Sequence, residues 1–71
     1  MEYVVNKSIV RILREKGMRQ KDAADRAGMD EGVFSNIVRC RRKVYADEVI
    51  PIARAIGVSI EELFRSDGVG A

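Results

Sequence analysis

Residues 20–39 read QKDAADRAGMDEGVFSNIVR, and this stretch decides the fold. Three alanines recur at helical spacing, and the Gly28 that follows them is typical of the end of a short helix. Asp30 can cap the next helix, in which apolar residues again recur three and four positions apart. The stretch therefore predicts helices over about 20–27 and 31–39, joined by a tight turn.

Positive charge follows the second of these helices directly. Within residues 39–43, which we call the basic turn, four side chains are cationic: Arg39, Arg41, Arg42 and Lys43. Two helices joined by a tight turn and flanked by cations form the arrangement that places the second helix in the major groove of DNA, with the cations on phosphate. A short run of charge is more often an ordinary solvated loop, but the position directly after the helix favours phosphate contact.

The composition allows one small domain and excludes several classes of site. The chain has 71 residues, 46% of them hydrophobic, which predicts a single domain over 1–71 with its core at about 6–65. It has no histidine and one cysteine, Cys40, which excludes a zinc finger and an internal disulfide. Without a membrane-spanning run or a secretory signal, we expect a cytoplasmic protein.

An enzyme is not expected from this inventory of side chains. The sequence has no phosphate-cradling glycine-rich loop and no nucleophile beside a plausible base. The paired acids Asp30-Glu31 and Glu61-Glu62 are predicted to begin helices rather than to form acid/base pairs. We therefore expect no catalytic residue, no metal and no cofactor.

Charge is distributed unevenly along the chain. Residues 1–46 hold 11 basic and 6 acidic side chains, for a net charge of +5, whereas residues 47–71 hold 2 basic and 5 acidic ones, for −3. A basic half joined to an acidic half predicts one face for phosphate and another for a different contact.

The rest of the sequence predicts three more helices, which makes the fold class all-α with five helices. A first helix is expected over about 6–16 with Asn6 as its N-cap. A fourth is expected over about 47–56, where Pro51 should kink the helix or delay its regular part. A short fifth helix should follow a capping box that begins at Ser59.

Three smaller features complete this description. Residues 2–5, EYVV, are β-prone and predict a short extended arm. Residues 66–71 are expected to form a flexible tail. Tyr45 is expected to cover the edge of the core, the alternative being a stacking contact with a sugar or with another subunit.

At this point the order of elements resembles a known family. RQKDAADRAGMDEGVFSNI at 19–37 and IARAIGVSIEELF at 52–64 resemble the Cro/cI-type helix-turn-helix family, also described as XRE-like or lambda-repressor-like. The resemblance covers about residues 7–64 and implies a compact five-helix DNA-binding domain whose third helix reads base edges. Cys40 stands where the family often has a glycine.

The resemblance assigns base-reading positions to the third helix. It implies that Glu31, Gly32 and Asn36 face base edges, with Ser35 beside them. Asn36 suits adenine and Glu31 could accept a hydrogen bond from cytosine. The alternatives are an exposed polar residue for Asn36, a hydrogen bond to the backbone for Ser35, and a favourable charge at the helix start for Glu31.

The resemblance also assigns phosphate contacts to two segments. It implies that Gln20, at the start of the second helix, contacts phosphate, although Gln20 could instead cap that helix. Arg19 and Lys21 are weaker candidates for the same role. The four cations of the basic turn fall where the family touches phosphate after the third helix.

These observations predict a transcriptional regulator, a repressor that binds double-stranded DNA as a homodimer on a two-fold operator. The small size of the core also favours dimerisation. One alternative is an antitoxin, which would bind a toxin through its acidic half. Another is a protein-interaction module in which the same scaffold no longer binds DNA.

Overall fold

Five helices make up the described part of the chain, residues 3–65, in the computed structural model. They are α1 (Val4–Lys16), α2 (Gln20–Ala27), α3 (Glu31–Val38), α4 (Ala46–Ile56) and α5 (Ile60–Phe64). No strand occurs among these residues. The all-α, five-helix prediction is confirmed, whereas the predicted flexible tail at 66–71 lies outside the described residues.

The start of α1 differs from the prediction. Val4 and Val5 are helical, so the extended arm expected over residues 2–5 is not present at these two positions. Asn6 is not an N-cap, because it lies inside α1 and is fully buried. Packing overrides the β-propensity of this segment, since Val5 lies against the core.

Every helix contributes to one hydrophobic core. The buried apolar side chains are Ile9, Ile12, Leu13, Ala23, Ala24, Phe34, Ile37, Val49, Ile52, Ala53, Ala55, Ile56 and Leu63. Small alanines on α2 let its backbone lie close to α4, against which α2 packs. Burying a side chain as large as that of Phe34 stabilises the fold by about 1.5–3 kcal/mol, so α3 is fixed by its apolar face.

The tight turn between α2 and α3 has two local causes. Gly28 adopts φ 71°, a left-handed conformation that favours glycine, and Met29 N–H donates to Ala24 O at 2.9 Å. Asp30 then caps α3, its Oδ2 accepting from Gly32 N–H at 2.9 Å and Val33 N–H at 3.3 Å. The end of α2 at Gly28 and the start of α3 at Asp30 together set the angle between the two helices.

The structure departs from one of the two alternatives predicted for Pro51 and from half of the capping box predicted at Ser59. α4 runs without interruption from Ala46 to Ile56 with Pro51 inside it, so its regular part is not delayed. Ser59 does cap α5, its Oγ accepting from Glu62 N–H at 3.2 Å. The carboxylate of Glu62 pairs with Arg11 and Arg65 instead of completing the capping box.

A lysine on α1 closes the end of α4. Nζ of Lys16 donates to the carbonyl oxygens of Ile56 at 2.7 Å and Gly57 at 3.1 Å. These carbonyls lie where a helix exposes unpaired acceptors and the negative end of its dipole. A single cation therefore satisfies both and joins α1 to α4.

Candidate nucleic-acid interface

Helix α3 has one buried face and one open face. Phe34 and Ile37 point into the core, both 0% exposed. Glu31, Gly32 and Asn36 are exposed, while Ser35 is half-buried. The residues that the resemblance assigns to base edges thus share the side of α3 that the domain leaves open.

Gly32 has a structural role that the sequence analysis missed. A Cβ at this position would lie 3.0 Å from Oδ2 of Asp30, the oxygen that caps α3. A larger side chain would press on the capping carboxylate, which gives the glycine a local reason beside any close approach of a base. No short-range pattern in the sequence signals this contact, because it depends on the rotamer of Asp30.

The end of α3 is closed by two backbone hydrogen bonds. Arg41 N–H donates to Asn36 O at 2.8 Å, and Cys40 N–H donates to Ile37 O at 3.0 Å. This is the Schellman arrangement, which requires a left-handed residue just past the helix. Cys40 fills that position with φ 59°, among the described residues the only positive φ outside glycine.

The basic turn divides into exposed cations and one that is turned inward. Arg39, Arg41 and Lys43 are exposed. Arg42 instead pairs with both carboxylate oxygens of Glu48, at 3.0 and 2.6 Å. Its role as a phosphate contact stays a prediction, and any such contact competes with this ion pair.

The ion pair fixes the link between the basic turn and α4. Glu48 Oε1 also accepts from Tyr45 N–H at 2.9 Å, and the Arg42 guanidinium lies 4.6 Å from the centre of the Tyr45 ring. Hydrogen bonds from Arg42 lower the pKa of Glu48, although burial of the carboxylate opposes this. The same hydrogen bonds raise the pKa of Arg42.

Tyr45 corrects one sequence expectation. It does not cover the core edge, because 59% of it is exposed. It stands against Arg42 instead. The spacing of Arg42, Tyr45 and Glu48, three residues apart in each step, is the signal that could have found this cluster.

The start of α2 supplies a second group of exposed polar side chains. Arg19, Gln20 and Lys21 are all exposed there. Arg19 occupies the N-cap position and Gln20 is the first helical residue, so Gln20 does not act as the cap. Gln20 and Val38 line the same shallow groove, so the start of α2 and the end of α3 both open onto it.

Asn6 also belongs to this region, through hydrogen bonds that the sequence pattern did not predict. Its Nδ2 donates to the carbonyl oxygens of Ile37 and Arg42, both at 2.8 Å. These partners lie 31 and 36 residues away along the chain. No local pattern connects them.

Within residues 3–65, no three histidine, cysteine or acidic side chains come together in a way that could hold a metal ion. Over the same range, none of the helices has the length and apolar character needed to cross a membrane.

Comparisons with known proteins agree with this architecture. The family profile of the Cro/C1-type HTH DNA-binding domain matches residues 8–67. An uncharacterized HTH-type transcriptional regulator, y4dJ, of Sinorhizobium fredii is 33% identical over 63 residues, which are 89% of this chain and 82% of that protein.

A solved structure shares the fold. The restriction-modification controller protein C.AhdI from Aeromonas hydrophila superposes with a TM-score of 0.79 at 23% identity, over 86% of this chain and 92% of that one. The family profile and the relative from Sinorhizobium fredii confirm the resemblance drawn from the two sequence motifs. The match to the family profile agrees with the exposed face of α3 and with the turn that sets the angle of this helix. The chain belongs to the Cro/C1-type helix-turn-helix family of DNA-binding transcriptional regulators.

Proposed function

We propose that the protein is a transcriptional repressor that binds a two-fold operator as a homodimer. In this proposal, α3 of each protomer enters a major groove, and the two helices are about 34 Å apart along the DNA. Occupying the operator then blocks access of RNA polymerase. The observation that carries the proposal is the open face of α3, flanked by exposed cations.

Base reading is assigned to the exposed side chains of α3. The amide of Asn36 can form two hydrogen bonds to adenine, and Glu31 can accept from the amino group of cytosine. Ser35 is half-buried and can reach only a base that approaches closely. Gly32 offers no side chain, so it provides space rather than readout.

Phosphate contact is assigned to the two groups of exposed polar side chains. Arg39 and Arg41 form no ion pair with any of residues 3–65, so no carboxylate of this part of the chain competes with phosphate for them. Gln20 at the start of α2, with Arg19 and Lys21 beside it, supplies the second group. Phosphate contacts of this kind set the register of the protein on the duplex.

Selection from a random pool of double-stranded DNA tests the proposal. The expected result is enrichment of a palindromic site, with the preference at one position relaxed in Asn36→Ala at a cost of about 1–3 kcal/mol. The matched variant Arg41→Ala should weaken binding to all sequences alike and make the salt dependence shallower. Absence of enrichment by the wild-type protein would refute a sequence-specific regulator and favour a module that binds a toxin or another protein.

Self-association is assigned to the exposed apolar surface of α5. Phe64 is 56% exposed and Ile60 is 42% exposed, and apolar side chains of this size support a dimer contact. Sedimentation equilibrium tests this assignment with Phe64→Asp, which should dissociate the dimer. Tyr45→Ser, which removes a similarly exposed aromatic ring outside α5, should leave it intact. A monomeric wild type would remove the homodimer from the proposal.

A further inference from the structure

We propose that Asn6 is a positioning residue that holds the basic turn in place for phosphate contact. The proposal rests on the function proposed above, because it concerns the same DNA-binding face. Asn6 itself lies on α1 and is 0% exposed, so it cannot touch DNA. It acts through the residues that it holds.

The two donors of the Asn6 amide join two separate pieces of backbone. One hydrogen bond, of 2.8 Å, goes to Ile37 O in the last turn of α3. The other, also of 2.8 Å, goes to Arg42 O in the basic turn. Because both leave the same nitrogen atom, they fix the distance between the recognition helix and the turn that follows it.

The remaining atom of the amide shows which part of the side chain matters. Oδ1 of Asn6 is buried and has no hydrogen-bond partner among the described residues. A buried acceptor without a partner destabilises the fold, whereas an apolar side chain of the same shape would not. The contribution of Asn6 therefore lies in its two donors.

The basic turn needs such a restraint. Four cations within five residues repel one another, and Cys40 holds a left-handed φ of 59°. Arg42 is fixed at both ends, its carbonyl by Asn6 and its guanidinium by Glu48. The exposed Arg41 and Lys43 flank this anchored residue, so their positions depend on it.

The test compares Asn6→Leu with Ser8→Ala. Ser8 is a matched control, because it is also a buried polar residue of α1, 1% exposed, and donates to the carbonyl of Arg65 at 3.2 Å. Both variants lose hydrogen bonds from α1 to backbone, but only Asn6→Leu releases the basic turn. Binding to a mixed-sequence DNA duplex long enough for two half-sites is measured over a series of salt concentrations.

For Asn6→Leu, we expect the affinity for DNA at low salt to fall by roughly 10-fold. The slope of log affinity against log salt concentration should become shallower by about 1–2 units, because each phosphate contact contributes about 0.9 to this slope. Ser8→Ala should keep the wild-type slope. Should Asn6→Leu not fold, Asn6→Ser, which also lacks the amide donors, carries the same expectation. Without DNA, hydrogen exchange at the Cys40 and Arg41 amides should accelerate in the Asn6 variant alone.

The outcomes separate this inference from the function on which it rests. A folded Asn6 variant could keep the wild-type salt dependence of DNA affinity while its Tm is lowered as in Ser8→Ala. Asn6 would then only stabilise the fold, and the inference would be wrong although the protein still binds DNA. No salt-dependent binding by the wild-type protein would instead refute the proposed function, and this inference with it.

Discussion

Replacing Cys40 with glycine should stabilise the protein. Cys40 follows α3 with φ 59°, the conformation that the Schellman arrangement requires. A residue with a Cβ loses about 1–2 kcal/mol in this conformation, because the Cβ approaches the following carbonyl oxygen. Glycine avoids this loss but has more freedom in the unfolded chain, which offsets about 0.5–1 kcal/mol.

The net gain in the free energy of unfolding is therefore about 0.7 kcal/mol from the midpoints of these ranges, within limits of about 0 and 1.5 kcal/mol. In a domain of this size, a gain of that order raises Tm by about 4 °C. Urea denaturation followed by far-UV circular dichroism, under reducing conditions, measures the difference in unfolding free energy directly.

Cys40→Ala is the matched control for this prediction. It removes the half-buried thiol, as glycine does, but keeps the Cβ and with it the cost of the left-handed φ. We expect no gain in Cys40→Ala relative to the wild type. If the glycine variant is no more stable than the alanine variant, the argument from backbone conformation is wrong.

Three further predictions concern the ends of helices. Lys16→Met should lower the free energy of unfolding by about 0.5–1.5 kcal/mol, because two carbonyls at the end of α4 lose their donor and only water can replace it. Chemical denaturation checks this, and an unchanged midpoint would contradict it. Asp30→Ala should lower the free energy of unfolding by about 0.5–2 kcal/mol, because α3 loses its cap. The same change should raise DNA affinity at low salt, because it removes a negative charge from the DNA-facing side. Thermal melts should therefore show a lower Tm while titration with duplex DNA shows tighter binding. Arg42 lowers the pKa of Glu48 in the folded state. At pH values above the ordinary pKa of a glutamate, about 4.3, the pair therefore contributes its full stability to the fold. This contribution is lost as the pH falls through the lower pKa that Glu48 has in the folded protein. Glu48→Gln should therefore show a smaller loss of stability on acidification than the wild type, and equal losses in pH-dependent melts would argue against the pair.

The sequence predicted most accurately those features whose causes are local. The bounds of α2 are as predicted, because Gly28 and Asp30 act on backbone atoms within a few residues of themselves. The buried face of α3 follows likewise from the spacing of Phe34 and Ile37. Helix spacing and caps together were enough for the five-helix fold.

The missed role of Asn6 depends on contacts between distant segments, whereas the missed partner of Arg42 lies only six residues along the chain. Asn6 resembles an N-cap in sequence, and only the folded chain brings it to carbonyls more than 30 residues away. Arg42 looks like its basic neighbours in sequence, and its pairing with Glu48 depends on how the chain enters α4. The base-reading assignments to α3 stay predictions, since they concern contacts with DNA.

The hydrogen bond from Ser8 to Arg65 also bears on how the protein is made. Helix α1 packs on α5, whose Leu63 is fully buried. The packing surface of the first helix to be synthesised is therefore completed by the last of the five helices. At ribosomal rates about 3–10 s separate the synthesis of these two segments. During that interval the apolar side of α1, with Ile9 and Ile12, has no partner from α5. The domain can therefore complete its fold only after α5 has been synthesised.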